Sequence, residues 1–320
     1  MKQEKILIIG ASGQIGSVLT HTLSDIYGEN NVIATDIRQP TDHHGHFEIL
    51  DVLNTQALSD IVAKYGITQI YHLAAILSAK GETMPMFAWH FNMTSFFNVI
   101  DVARQFKISK IFFPSSIAAF GPSTPKYNTP QATIMIPETV YGISKSCAED
   151  WCNYFWLKEK MDIRSVRYPG IIGYQSLPGG GTTDYAVDIY HKAVKSEPFE
   201  CFLKADTALP MIYMDDAIRA TIELMEAPSE NVKIRTSYNL ASMSFSPQDI
   251  AESIKKQVPD FSISYKPDFR QAIAESWPAS IDDSEARKDW GWRPNFDLDA
   301  MTADMLAHLS EMYSKEIVHH

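Results

Sequence analysis

The chain contains few cysteines, and their spacing excludes two structural classes. Only three occur in 320 residues, at Cys147, Cys152 and Cys201, and no two of them form a Cys-x-x-Cys pair. An odd number without that spacing indicates neither a disulfide framework nor a zinc knuckle. We therefore predict ordinary buried thiols.

Positive charge and long apolar runs are also scarce. The chain has 28 Lys and Arg against 39 Asp and Glu, a formal charge of −11, which disfavours nucleic acid and anionic membranes as partners. The longest nearly uncharged stretches, such as residues 111–120, are far shorter than the roughly 20 residues of a spanning helix. The first residues lack the apolar stretch of a secretory signal. We expect a cytoplasmic protein with no membrane partner and no nucleic-acid partner.

The apolar residues form short runs that are separated by segments of helix length. The runs occupy residues 6–9, 32–35, 69–72, 110–113 and 163–167. Continuously apolar strands between helices indicate a parallel sheet covered on both faces, so we predict an α/β fold with a doubly wound (Rossmann) sheet. After Pro169 the pattern changes, and we predict a second, smaller α+β domain. The first domain would take residues 1–169 and about 205–240, and the second about 170–204 and 241–320.

A glycine motif follows the first apolar run directly. Gly10, Gly13 and Gly16 have the spacing G-x-x-G-x-x-G, with Gln14 and Ile15 between the last two, and a helix-competent run follows through Leu19 and Leu23. Glycine lets the backbone approach a pyrophosphate, whose charge is stabilised by the N–H groups at the positive end of the helix. We predict that these residues bind a dinucleotide.

The second strand ends in a carboxylate that suits an adenosine ribose. Asp36 lies twenty residues after Gly16, where it can accept hydrogen bonds from the ribose and repel a 2′-phosphate, which favours NAD over NADP. Arg38 leaves open whether its guanidinium accommodates such a phosphate or stacks on the adenine. Further cofactor contacts are predicted at Ile37, Asp51, Val52, Leu73, Ala74, Ala75 and Asn92.

A phenol and an ammonium lie one helical turn apart at Tyr141 and Lys145. The same spacing recurs at Tyr154 and Lys158, but Tyr141 begins the helix after a serine-bearing strand end, whereas Tyr154 lies about 220° around that helix. Lowering a phenol pKa of about 10 by about three units takes about 4 kcal/mol, which a close ammonium and a nicotinamide cation can supply. We predict that Tyr141 is a general base and that Lys145 holds the nicotinamide ribose.

Two serines complete the predicted catalytic set. Ser115 and Ser116 follow the strand at residues 110–113, and we expect the Ser116 hydroxyl to bind the reacting oxygen.

Together these motifs resemble the extended short-chain dehydrogenases/reductases over essentially the whole chain. Residues 114–122, 141–145, 167–172 and 178–186 are similar to the members that oxidise L-threonine. The resemblance implies NAD-dependent oxidation of the β-hydroxyl of a small-molecule substrate, L-threonine, to 2-amino-3-oxobutanoate. It also implies cofactor contacts at Tyr168, Pro169 and Ile171.

The glycines at 179–181 precede a helix that we predict to begin near Thr182. Free N–H groups, the positive helix end and two hydroxyls would converge there on a carboxylate. We predict substrate contacts at Gly181, Thr182 and Thr183, with Leu77 and Ser78 near the methyl and amino groups. A flexible loop and helix cap is the alternative.

Residues 86–102 carry apolar side chains around most of a predicted helix. Such a helix needs a second partner, either inside the monomer or in a homodimer, and we favour the homodimer.

Three other functions remain open. A nucleotide-sugar epimerase or dehydratase shares the glycine motif and the Tyr/Lys pair, and would neutralise a diphosphate with arginines such as Arg219, Arg270, Arg287 and Arg293. A non-catalytic NAD sensor would not need Ser116, Tyr141 and Lys145 together. A metal-dependent alcohol dehydrogenase is suggested only by the histidines at 43, 44 and 46, which we interpret as an exposed loop; we predict no metal.

Overall fold

The computed structural model describes residues 4–40, 45–177, 179 and 181–318, with side chains as far as Lys315. The strands are, in chain order, β1 (Ile6–Ile9), β2 (Val32–Asp36), β3 (His46–Ile49), β4 (Gln69–His72), β5 (Lys110–Phe112), β6 (Ser115–Ser116), β7 (Ile163–Arg164), β8 (Val166–Tyr168), β9 (Gly170–Ile172), β10 (Phe199–Cys201), β11 (Leu209–Tyr213), β12 (Tyr238–Asn239), β13 (Met243–Phe245) and β14 (Ile263–Tyr265). The helices are α1 (Gln14–Tyr27), α2 (Thr55–Tyr65), α3 (Ser78–Thr83), α4 (Pro85–Phe106), α5 (Val140–Glu159), α6 (Tyr185–Val194), α7 (Met214–Glu226), α8 (Pro247–Lys255), α9 (Arg270–Glu275), α10 (Ser284–Trp290) and α11 (Leu298–Val318). In this part of the chain, no helix combines the length and the apolar character that spanning a membrane requires.

The chain divides into two compact units, each made of several segments. The first takes residues up to 119, 139–167 and 220–238, and the second takes 120–138, 168–219 and the residues from 239 onward. Compactness does not by itself identify a ligand, so the predicted cofactor-binding and substrate-binding roles of two domains stay predictions.

The first unit contains a parallel sheet with the strand order β3-β2-β1-β4-β5-β7 over the described residues. The chain starts in the middle of the sheet and extends it in both directions, as in a doubly wound fold. Ile9 is in register with both Thr35 and His72, so the carboxyl ends of β1, β2 and β4 lie side by side. The predicted α/β sheet is confirmed.

Helices α2, α4 and α5 share a core with one face of this sheet. Side chains alternate along a strand, so Leu7 and Ile9 point toward this core while Ile6 and Ile8, equally buried, point to the other face. Phe96 of α4 packs edge-to-face on Phe113 with ring centroids 4.9 Å apart. This packing fixes α4 and α5 against the strand ends that carry the candidate site.

The strand predicted at residues 163–167 is in fact two strands. Residues 163–164 pair with β5, whereas residues 166–168 belong to a separate sheet with the order β12-β8-β6. The chain changes sheets at Ser165, whose carbonyl oxygen accepts a hydrogen bond from the Tyr238 amide. A continuous apolar run does not reveal such a change.

The last segment of the first unit is held by two arginines. Arg164, 1% exposed, donates from Nη1 to the carbonyl oxygens of Leu224 and Ala227, 2.6 Å away in each case. Arg235 pairs with Asp162 at 2.5 Å. Residues 220–238 are therefore joined to the first unit through buried charged side chains.

In the second unit, β11 pairs in parallel with β9 and antiparallel with β13, and β10 pairs with β14. Helices α6, α8 and α11 pack on one another beside these strands.

Candidate active site

The glycine motif lies directly after β1. Gly10 has a φ of +90°, and a Cβ atom there would lie 2.7 Å from the amide nitrogen of Ala74. A Cβ on Gly16 would lie only 2.1 Å from the carbonyl oxygen of Gly10. The packing of the loop itself therefore requires glycine at these two positions.

Gly13 differs from both of them. A Cβ there would meet nothing within 4 Å except the Gly10 carbonyl oxygen, at 3.4 Å. Gly13 also forms the N-cap of α1, which Gln14 and Ile15 begin, and no side chain caps this helix end. The open side of Gly13 next to an uncapped helix start fits the pyrophosphate of a dinucleotide.

The structure brings Asp36 to the glycine loop. Its carboxylate accepts hydrogen bonds from the amide of Ser12 at 3.0 Å and from that of Ile37 at 2.7 Å. The Ile37 and Arg38 side chains are exposed beyond it. The carboxylate thus stands at the edge of the predicted dinucleotide site, as expected for a ribose-binding group.

The other predicted contacts in this region occupy three different environments. Asp51 is exposed and accepts from the Leu53 amide, whereas the Val52 side chain belongs to the core. The amides of Leu73 and Ala74 both donate to the carbonyl oxygen of Ile9, which holds the loop through Ala75 beside the glycine motif. Val52 therefore has no side-chain surface on the site.

Asn92 holds the loop that follows β4. Its Oδ1 accepts from the Ile76 amide at 2.8 Å, and its Nδ2 donates to the Ile76 carbonyl oxygen and to Ser144 Oγ. Both ends of the amide are thus engaged within the first unit. These bonds tie Asn92 to Ile76 of that loop, and its predicted contact with a cofactor stays a prediction.

Tyr141 lies in the first turn of α5, whose N-terminus is capped by Thr139. Burial raises the pKa of Tyr141 to about 12, and a hydrogen bond from the Ser116 hydroxyl opposes this rise. The structure therefore brings together the predicted base and the predicted partner of the reacting oxygen.

Lys145 is buried one turn further along α5. Its Nζ donates to the Pro114 carbonyl oxygen at 2.7 Å and lies 5.5 Å from the centroid of the Tyr141 ring. Burial lowers the pKa of Lys145 to about 7, against the opposing charge of Glu149. In the chain alone burial raises the pKa of Tyr141, and the predicted lowering by Lys145 together with a nicotinamide cation stays a prediction.

Ser115 does not join the other catalytic candidates. It is 2% exposed, and its hydroxyl donates to Glu149 Oε1 at 2.5 Å, because neighbouring side chains of a strand point to opposite faces. Glu149 in turn pairs with Arg167 at 2.7 Å. Glu149 was not predicted as a site residue, although its position four residues after Lys145 places it on the same helical face.

The predicted substrate residues lie in both units. In the first, Leu77 is 55% exposed and caps α3, whereas Ser78 is buried. In the second, Gly181 donates its amide to Asp184 Oδ2 at 2.8 Å. Buried Thr182 has a hydroxyl with no hydrogen-bond partner among the described residues.

The helix that was predicted to begin near Thr182 begins at Tyr185 instead. Residues 181–184 form a turn, which is closed by a hydrogen bond from the Asp184 amide to the Gly181 carbonyl oxygen. Thr183 lies in that turn. Tyr168 ends β8, Ile171 lies in β9, and Pro169 is the residue between the two strands. Pro178 and Gly180 are outside the described residues.

The arginines available to a diphosphate are engaged within the second unit. Arg219 pairs with Asp216, Arg270 with Asp268 and Arg287 with Asp283, at 2.5–2.7 Å, and Arg293 donates to the Trp292 carbonyl oxygen. Over the described ranges no group of three His, Cys, Asp or Glu side chains could hold a metal ion. His43 and His44 lie outside those ranges, and His46 contacts Asn30.

Comparison with known proteins is consistent with this site. The chain is 47% identical over 308 residues to the mitochondrial L-threonine 3-dehydrogenase of Bos taurus, with 95% of this chain and 82% of that protein covered. A solved GalE-like L-threonine dehydrogenase from Cupriavidus necator, in its holo form, is 57% identical with a TM-score of 0.94, covering 95% of this chain and 99% of that one. A monomeric L-threonine 3-dehydrogenase from a metagenome is 46% identical with a TM-score of 0.93, covering 96% and 99%.

The sequence profile of the NAD dependent epimerase/dehydratase family matches residues 6–241. The predicted Rossmann fold and NAD cofactor are thereby confirmed, and the chain belongs to the NAD dependent epimerase/dehydratase family.

Proposed function

We propose that the protein oxidises the β-hydroxyl of L-threonine and so forms 2-amino-3-oxobutanoate. The observation that carries the proposal is the placement of Ser116, Tyr141 and Lys145 at the carboxyl ends of the parallel strands, in the first unit that also holds the glycine motif. Relatives named as L-threonine dehydrogenases over nearly the whole chain support the choice of substrate.

The residues of the first unit fit the cofactor. The open side of Gly13, the Asp36 carboxylate and the loop at residues 73–75 would hold NAD. When bound, NAD accepts the hydride that leaves the substrate Cβ.

The proton of the substrate hydroxyl goes to Tyr141 Oη. The Ser116 hydroxyl lies close enough to this tyrosine to lower its pKa, so it can bind the substrate oxygen in the same place and align the O–H bond. Loss of this proton from oxygen and of the hydride from Cβ leaves the C=O bond of the product.

Lys145 supplies positive charge beside the phenol. The Pro114 carbonyl oxygen fixes its Nζ, and Tyr141 with its raised pKa needs cations nearby before it can act as a base at neutral pH. An oxidised nicotinamide adds a second positive charge at this place.

The nucleotide-sugar alternative is less well supported. Three of the four arginines that would neutralise its diphosphate, Arg219, Arg270 and Arg287, already pair with carboxylates in the second unit. Recruiting these three would require breaking their ion pairs.

The proposal is tested by following NADH absorbance with purified protein, NAD and L-threonine, beside D-threonine, L-serine, UDP-sugars and NADP. We expect NADH to form selectively with L-threonine and NAD. Conversion of a UDP-sugar in product chromatography, with no NADH from threonine, would favour the epimerase function instead.

We further infer that the protein forms a homodimer through α4 and α5. These helices pack on each other and leave large apolar side chains exposed, namely Met86 and Phe87 on α4 and Tyr154 and Leu157 on α5. Exposed apolar faces of this kind are typical of association surfaces.

Sedimentation velocity tests the homodimer. It should give the dimer mass for the natural chain and the monomer mass for Phe87→Glu. A natural chain that sediments as a monomer, like the metagenomic relative, would contradict the inference.

A further inference from the structure

A complete ion pair is buried next to the candidate catalytic residues. Glu149 is 0% exposed and Arg167 is 3% exposed, and the guanidinium binds the carboxylate through Nε at 3.0 Å and Nη2 at 2.7 Å. Replacing a buried pair of this kind with apolar side chains is often neutral or stabilising, so stability alone does not explain it.

The pair has a third member on the strand that bears Ser116. The Ser115 hydroxyl donates to Glu149 Oε1 at 2.5 Å, the same oxygen that accepts from Arg167 Nε. The carboxylate is thus oriented by a two-point arginine contact and presents one oxygen to the strand.

A second link between α5 and this strand lies one residue away. Lys145 Nζ donates to the Pro114 carbonyl oxygen at 2.7 Å, and Lys145 and Glu149 are one helical turn apart. Two adjacent turns of α5 are therefore tied to two adjacent residues, Pro114 and Ser115. Such double attachment fixes both the distance and the rotation of the strand end relative to the helix.

The alternation of side chains transmits this constraint to the site. Ser115 and Ser116 are consecutive residues of β6, so the contact that holds the Ser115 hydroxyl on Glu149 also fixes the direction of the Ser116 side chain, which lies close enough to Tyr141 to affect its pKa. A rotation of the strand that released Ser115 would also move the Ser116 hydroxyl away from the phenol.

We propose that the Ser115–Glu149–Arg167 cluster is the positioning device that sets the Ser116 hydroxyl against Tyr141. The proposal rests on the proposed dehydrogenase function. None of its three members touches the reacting atoms; they act through Ser116 and Lys145.

The test uses Ser115→Ala, Ser115→Thr and a matched control, Ser165→Ala. Ser165 is also a buried serine of the first unit, and its hydroxyl donates to Ser237 Oγ at 2.9 Å rather than to a member of the cluster. We measure kcat with L-threonine, KM, the Kd of NADH and the Tm of each variant.

For Ser115→Ala we expect kcat to fall at least ~10-fold, since small misplacements of catalytic groups are costly, while the Kd of NADH stays within about twofold. Ser115→Thr retains the hydroxyl and should recover most of kcat. Ser165→Ala should lose a similar amount of Tm with kcat unchanged. A Ser115→Ala enzyme with natural kcat, or a loss of kcat shared equally with Ser165→Ala, would overturn the proposal.

Arg167→Lys tests the orienting contact. Lysine keeps the positive charge but lacks the planar guanidinium that binds a carboxylate through two N–H groups. We therefore expect kcat to fall while the Kd of NADH stays unchanged, as for Ser115→Ala.

Crystal structures of the natural chain and Ser115→Ala separate this proposal from the proposed function. We expect the distance from Ser116 Oγ to Tyr141 Oη to increase in the variant, whichever substrate the enzyme uses. An unchanged distance contradicts the positioning role, whereas inactivity of the natural chain with threonine contradicts only the proposed function.

Discussion

The Lys145 ammonium lies 2.7 Å from the Pro114 carbonyl oxygen, at a position where the lysine is only 3% exposed. In the folded chain this neutral carbonyl oxygen takes the place of the water that would hydrate the ammonium in solution. Burial accordingly lowers the pKa of Lys145 to about 7. The charged form of Lys145 therefore lowers the stability of the folded chain.

We predict that Lys145→Met changes stability in a pH-dependent way. The pKa is about 7 in the folded chain and 10.5 without burial, so unfolding takes up a proton between these values and natural stability rises with pH. The free energy of unfolding of Lys145→Met minus that of the natural chain should therefore fall by roughly 3 kcal/mol from pH 6 to pH 9.

Urea denaturation at both pH values measures this difference. Lys158→Met replaces an exposed lysine of the same helix and should show no such trend. An equal difference at pH 6 and pH 9 for Lys145→Met would rule out a buried, destabilised ammonium.

Tyr141→Phe should lower kcat by roughly 10³-fold, because the proton of the substrate hydroxyl loses its acceptor. NADH binding, measured by fluorescence titration, should change little. The matched control is Tyr154→Phe, which alters a 46% exposed tyrosine with the same spacing to a lysine and should leave kcat intact. Equal losses in both variants would remove Tyr141 from the chemistry.

Asp36→Ala should reduce the preference for NAD over NADP by at least ~10-fold, since the carboxylate that binds the ribose and repels a 2′-phosphate is gone. The ratio of kcat/KM for the two cofactors measures the effect. Asp60→Ala removes an exposed carboxylate that binds only the Gln56 side chain in the described structure, and its ratio should stay unchanged. An unaltered ratio for Asp36→Ala would place this residue outside the ribose site.

Gly13→Ala and Gly16→Ala should separate cofactor binding from folding. The added methyl at position 13 meets only one atom, at 3.4 Å, so Tm should be retained while the Kd of NADH rises at least ~10-fold. The methyl at position 16 meets the Gly10 carbonyl oxygen at 2.1 Å, and we expect a loss of about 3 kcal/mol in unfolding free energy. Natural NADH affinity in Gly13→Ala would argue against the pyrophosphate site.

The most accurate sequence predictions used patterns that repeat. The strands at residues 6–9 and 69–72 were predicted to the residue; the first is continuously apolar because it is buried on both faces, whereas the second begins with Gln69 and ends with His72. The choice of Tyr141 and Lys145 over Tyr154 and Lys158 depended on the serine-bearing strand end that precedes them, because the two pairs have the same spacing.

The wrong predictions concern residues whose hydrogen-bond partner is distant in sequence, or residues near which a local hydrogen bond competes with the predicted helix. Ser115 and Ser116 are equivalent by composition, and only Glu149, 34 residues beyond Ser115, distinguishes their faces. Similarly, Thr182 does not begin a helix because the Asp184 carboxylate binds the Gly181 amide in a turn.

The segmented first unit has a consequence for synthesis on the ribosome. Arg164 finds its carbonyl acceptors at Leu224 and Ala227 only after a further 60 or so residues have been made. At translation rates of about 5–20 residues per second, residues 168–238 take roughly 4 to 14 s to synthesise. During that interval the Arg164 guanidinium has its partner Asp162 but lacks the carbonyl oxygens that bind its Nη1, so the first unit completes its folding only late in translation.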